Sequence, residues 1–162
     1  MAEVDAPKKP RSEFAMVRSV RRRLMASGTA SRMEVPLLGL SIDLVYLHGE
    51  HVCSVEFKLK DWRRAAKQAF SHQLGADFAF ICLPERSVTS EMRDSLAEHG
   101  IGLLFFQPYG HTPWREVLPA RASSRTWIPA RLKMLTVLSG VAYEPAKDGH
   151  SRSTSCSLRH SR

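Results

Sequence analysis

No stretch of this chain approaches the roughly 18–20 consecutive apolar residues that a helical membrane span requires. The first residues, MAEVDAPKKPRSE, also lack the apolar core of a secretory signal. Cysteine is scarce: Cys53, Cys82 and Cys156 are odd in number, far apart and without a CxxC pair. That argues against a disulfide framework and against a structural zinc site. There is no internal repeat and no collagen-like or low-complexity bias. These absences predict a soluble, cytoplasmic protein with no membrane partner.

What is present suffices for one core. The chain has 162 residues, 43% of them hydrophobic and 25% charged, which suits a single domain. Its net charge is +8 and its pI about 9.9, compatible with a polyanionic partner but not diagnostic of one. Part of that excess falls in residues 146–162, where Lys147, Arg152, Arg159 and Arg162 outnumber Asp148. Composition divides the chain into a flexible arm (1–11), a folded domain (12–145) and a disordered basic, Ser-rich tail (146–162).

Within the domain, Phe14, Val17, Val20 and Leu24 follow helical spacing after a capping Ser12, and Gly28 ends the segment. Strands are expected at Met33–Leu38, where Pro36 intrudes, at Ile42–Leu47 and at Val52–Leu59. A helix capped by Asp61 runs to Gly75. Asp77–Leu83 reads as a buried strand, Ser90–His99 as a helix and Ile101–Phe106 as another strand. After a proline-spotted stretch, Leu132, Leu135 and Leu138 mark a last helix that Pro129 opens and Gly140 closes. The order is α, three strands, α, β, α, β, α. It predicts an α/β fold, a mixed central β-sheet flanked by helices on both faces.

The chemistry gathers on one hairpin. His48-Gly49-Glu50-His51 suits a two-residue turn with Gly49 first. That register sets Asp43 opposite Glu56, with Cβ atoms roughly 4.5–5.5 Å apart. Lys58, two residues on, shares their side of the sheet. The other side collects Ile42, Leu44, Tyr46, Cys53, Val55, Phe57 and Leu59. Two adjacent carboxylates repel and raise each other's pKa unless a cation joins them. Oxygen ligands of this kind suit Mg²⁺ or Mn²⁺, and a lysine beside such an ion can orient an attacking water or stabilise developing charge. This set of parts hydrolyses phosphodiesters.

The stretch from Ser41 to Pro84 resembles the core of the PD-(D/E)XK nuclease superfamily, the restriction-endonuclease-like fold with an αβββαβ core. Asp43 matches the motif's first acid and Glu56-Phe57-Lys58 matches E-x-K, while Ile42 stands in place of the motif's proline. The resemblance covers about residues 12–107. It implies a Mg²⁺- or Mn²⁺-dependent hydrolase of DNA with Asp43, Glu56, Lys58 and Gln68 in the catalytic set, Gln68 matching a glutamine found in several branches. It also implies Asp43, Glu56 and Glu13 as metal ligands, because some members place an acid on the first helix. Glu34 is a rival for that last role.

Arg18 and Arg22 on the first helix, Lys60 at the strand end, and Arg63, Arg64 and Lys67 on the second helix are candidates for phosphate contact. A homodimer or larger nucleic-acid-processing complex is compatible with one small domain facing a two-stranded substrate. Two other readings compete. One is a catalytically inactive nucleic-acid-binding or assembly subunit on the same fold. The other is a metal-independent interaction domain whose polar strand face carries only surface ion pairs.

Overall fold

The computed structural model describes residues 10–140. Most of the arm and all of the Ser-rich tail, Cys156 included, lie outside the described residues. Helix α1 (Glu13–Ala26) begins as expected at Ser12, whose side chain accepts from the Ala15 N–H. Strands β1 (Ser31–Leu37), β2 (Leu40–His48) and β3 (His51–Phe57) follow, then α2 (Trp62–His72), capped by Asp61. Next come β4 (Phe78–Leu83), α3 (Ser90–Glu98), β5 (Gly102–Phe106), β6 (Trp114–Leu118) and α4 (Ile128–Ser139), which ends on left-handed Gly140.

The six strands form one sheet in the order β1-β2-β3-β4-β5-β6. The first three pair antiparallel, β3-β4 and β4-β5 pair parallel, and β6 returns antiparallel. Parallel neighbours need crossovers, and α2 and α3 supply them. Over the described residues the fold is therefore α/β, a six-stranded mixed sheet with four helices on its two faces and a restriction-endonuclease-like core. Among the described residues no helix is long and apolar enough to cross a membrane.

Alternation along the strands divides the core. Leu44, Tyr46, Cys53, Val55 and Phe57 lie with α1 through Met16, Val17, Val20 and Leu24. On the opposite face, Ala79, Ile81, Leu83 and Leu103 pack with α2 and α3. Val35, Leu37, Val45 and Val52 pack with α4 through Ala130, Met134 and Leu138. At roughly 25 cal/mol per Å² of buried apolar surface, these clusters are the main force ordering the sheet. Both sheet faces are thus covered, and the strand face expected to be polar is mostly apolar too.

Three expectations need correction. Phe14 is exposed (54%) and Met16 takes its inward place; likewise Leu132 is exposed (55%) and Met134 buried. Both helices use a stripe one step round from the one that Phe14 and Leu132 suggested. Ile42 joins the α4 cluster rather than the α1 cluster. Its partner Val35 does the same, although Met33 and Leu44 lie on the α1 side. The inversion coincides with Glu34, a non-glycine residue at φ 51. β6 was hidden between Pro113 and Pro119. Pro36 is tolerated because β1 is an edge strand.

Gly102 has no such freedom to vary. A Cβ there would overlap the Phe80 ring and stand 2.9 Å from the backbone nitrogen of Ala120. Gly102→Ala is expected to lower stability by about 1–3 kcal/mol, measured by urea unfolding. An unchanged midpoint would refute this packing.

Candidate active site

The hairpin turn sets the site's register. Gly49 has φ 60 while Glu50 is not among the positive-φ residues, the pattern of a two-residue II′ turn. His48 pairs with His51 and the ladder runs through Leu44↔Val55. This is the expected register, and it points Asp43 towards Glu56. The ladder stops one step short of them. There the Asp43 carboxylate takes the place of a backbone carbonyl: its Oδ2 accepts the Phe57 N–H at 2.8 Å. Asp43 therefore holds β2 to β3 where the strands part.

Glu56 is only 1% exposed. Its Oε1 accepts from Lys58 Nζ at 2.8 Å, while its Oε2 is buried without a hydrogen-bond partner. Lys58 Nζ also donates to the Phe57 carbonyl at 3.0 Å and pairs with Glu13 Oε2 at 3.5 Å. Glu13 Oε1 in turn accepts the Leu59 N–H at 3.2 Å. The structure thus brings Asp43, Glu56, Lys58 and Glu13 together. The ammonium group sits between Glu13 and Glu56, so the acid on α1 serves Lys58 and the strand end. Among the described residues no group of three or more His, Cys, Asp or Glu side chains is placed to hold a metal ion. The three-acid ligand set of Asp43, Glu56 and Glu13 is accordingly not assembled.

Electrostatics follow from burial. Desolvation, reinforced by the neighbouring Asp43 charge, pushes the Glu56 carboxyl up to about 7. Asp43 is raised as well, by burial first, although the Phe57 N–H and Lys58 oppose the rise. Burial pulls Lys58 down, but Glu56, Asp43 and Glu13 outweigh it and leave its pKa raised. An acid that is half-protonated near neutrality and has an unpartnered inner oxygen fits a divalent cation, which would hold it ionised.

Gln68 lies on α2 with its Oε1 buried and unpartnered. Sequence reasoning missed other buried polar groups, two of them on the elements that carry Glu56 and Gln68. Ser54, on β3 with the same parity as Glu56, is fully buried, as is His72, one turn beyond Gln68. Burial, with the Lys58 charge second, lowers the His72 pKa to about 4. The Gln68–His72 spacing of four was the only available signal.

Of the basic candidates, Lys60 and Arg64 join Glu13, Lys58, Leu59 and Asp61 around a cleft of about 320 Å³. Lys67 is exposed on α2. Arg63 is engaged by Glu91 at 2.6 Å and lies over Trp62, so it is less free for phosphate. Arg18 and Arg22 border a separate groove on α1 with Phe14 and Met25.

No family model matches this chain, and no curated protein matches it either. Among solved structures it is similar to a protein of unknown function from Silicibacter pomeroyi, with 19% identity and a TM-score of 0.53, over 83% of this chain and 86% of that one. A looser likeness, with a TM-score of 0.49 and 12% identity, is to an XisH family protein from Nostoc punctiforme, over 63% of this chain and 98% of that one. At these identities the first likeness concerns the fold alone.

Proposed function

We propose that this restriction-endonuclease-like chain is a metal-dependent nuclease of the PD-(D/E)XK kind that hydrolyses DNA phosphodiester bonds. One observation carries the reading: buried Glu56, with one oxygen bound to Lys58 and the other unpartnered, beside Asp43 at the fork of β2 and β3. Simple surface ion pairs do not account for a carboxylate that is 1% exposed, because burying such a charge is unfavourable without a compensating role.

Asp43 and Glu56 would hold Mg²⁺ or Mn²⁺, which supplies charge neutralisation at the phosphate and a lowered pKa for water. The chain's own residues do the rest. Lys58, bound at Glu56 Oε1, is positioned to orient the nucleophile or stabilise charge as it develops. Lys60 and Arg64 bring positive charge to the mouth of the cleft, where they would place a phosphate without reading sequence. Glu13 keeps the ammonium in register from the α1 side.

The same contacts also support the second reading, a non-catalytic nucleic-acid-binding or assembly subunit, because Lys58 is engaged by two acids and no three-acid group is formed. A cleavage assay on linear, circular, single-stranded and branched DNA separates the two. Cleavage is expected with Mg²⁺ or Mn²⁺, none with chelator and none from Glu56→Ala. A silent wild-type protein on every substrate would favour the non-catalytic subunit.

A further inference from the structure

Seven buried polar atoms among the described residues lack hydrogen-bond partners; two, Arg21 Nε and Ser31 Oγ, lie on α1 and β1, and the other five belong to four residues of β3 and α2: Ser54 Oγ, Glu56 Oε2, Gln68 Oε1, and both ring nitrogens of His72. Ser54 and His72 are fully buried and Glu56 is 1% exposed. Interior polar groups are almost always satisfied, and leaving one unpaired is destabilising. Five unpaired together would be a large burden for one small domain.

Their placement in the fold is coherent. Ser54 and Glu56 alternate on β3, on the face where Val52 lies among residues packed with α4. Gln68 and His72 are one turn apart on α2, which runs back antiparallel to β3 as it crosses to β4. Two strand residues advance about 6.6 Å and four helical residues about 6 Å. Gln68 and His72 therefore step along α2 at the same pitch as Glu56 and Ser54 along β3. The result is a polar seam inside an otherwise apolar layer, and it ends at the candidate site.

The donors and acceptors suit water. Ionised Glu56 Oε2 and Gln68 Oε1 only accept, Ser54 Oγ does both, and a neutral imidazole has one donor and one acceptor. A water molecule placed among them can donate to the carboxylate and accept from serine or histidine. Buried water of this kind typically makes about three hydrogen bonds to otherwise unsatisfied groups. We propose that Ser54, Glu56, Gln68 and His72 enclose a site for ordered water beneath α2, and that His72 is a positioning residue that holds the inner oxygen of Glu56 through it. The water site is independent of the nuclease reading; its effect on metal affinity rests on that reading.

A high-resolution crystal structure of the full chain tests the first half. Water is expected within hydrogen-bond distance of Glu56 Oε2 and at least one His72 nitrogen. A dry seam, or these side chains bonded directly to one another, would overturn the proposal. The second half compares His72→Phe with His72→Gln. Removing a buried polar ring should not lower the melting temperature of the phenylalanine variant. Its crystal structure should lose the water and show Glu56 reoriented, while the glutamine variant keeps both. In Mn²⁺ titrations followed by electron paramagnetic resonance, His72→Phe should weaken binding at least about tenfold, the usual scale for groups that orient a ligand, and His72→Gln should recover most of it. Glu56 unmoved in His72→Phe would refute the positioning role. Wild-type protein that binds no Mn²⁺ would count against the nuclease reading, leaving the crystallographic comparison to decide this one.

Discussion

Glu56→Gln is expected to remove DNA cleavage while making the protein more stable above neutrality. The carboxyl titrates at about 7 against an ordinary 4.5, so between those values the folded state binds more protons than the unfolded one. Stability attached to this group is full below about pH 4.5 and declines as pH rises to about 7. A rise of this size corresponds to about 3 kcal/mol. The glutamine carries no such charge, so its gain over wild type should be absent near pH 4.5 and reach about 1–3 kcal/mol at pH 8, part of the benefit being offset by the lost charge partner of Lys58. Cleavage should fall by about 10²–10³ or more, since a ligand carboxylate and the anchor for Lys58 go together. Urea unfolding at the two pH values and a cleavage time course suffice. A glutamine variant less stable than wild type at pH 8 would contradict the buried charge.

Lys58→Met should do the reverse to stability and the same to cleavage. The ammonium is the cation closest to Glu56, at 2.8 Å, and also pairs with Glu13. Breaking a buried pair from one side typically costs about 3–5 kcal/mol because a charge is left uncompensated. At pH 8 that loss should appear nearly in full. Near pH 4.5 it should shrink, because protonated Glu56 needs no counter-charge. Cleavage should be undetectable at either pH. An equal loss of stability at both pH values would mean that Lys58 contributes packing rather than charge.

Much of this was legible because it depends on local rules. A glycine at the first turn position fixes the hairpin, the hairpin fixes the register, and the register places Asp43 near Glu56. Caps at Ser12 and Asp61 announce their helices. What could not be read depends on burial, which a side chain's identity does not reveal. Nothing in the letters distinguishes Met16 from Phe14 as the inward residue, since neighbouring stripes on a helix share the same spacing. His72 and Ser54 look like surface residues until α2 is laid over β3. The left-handed backbone at Glu34 follows from no propensity of glutamate. Even the Asp43 contact goes beyond the register argument, which set two carboxylates face to face and did not anticipate a hydrogen bond to the Phe57 amide.

The edges of the sheet bear on assembly. At one margin, β1 carries Pro36, which has no N–H to offer, two residues from the backbone reversal at Glu34. At the other, β6 is five residues long with Arg115 and Glu116 exposed and a register shift near its end. Both margins are poor templates for adding a strand. Fusion of two copies into one continuous ribbon is therefore disfavoured at either margin of the described sheet. If the protein works as a pair, a junction through helices or loops is the expected one, and the two clefts would keep whatever mutual orientation that junction dictates.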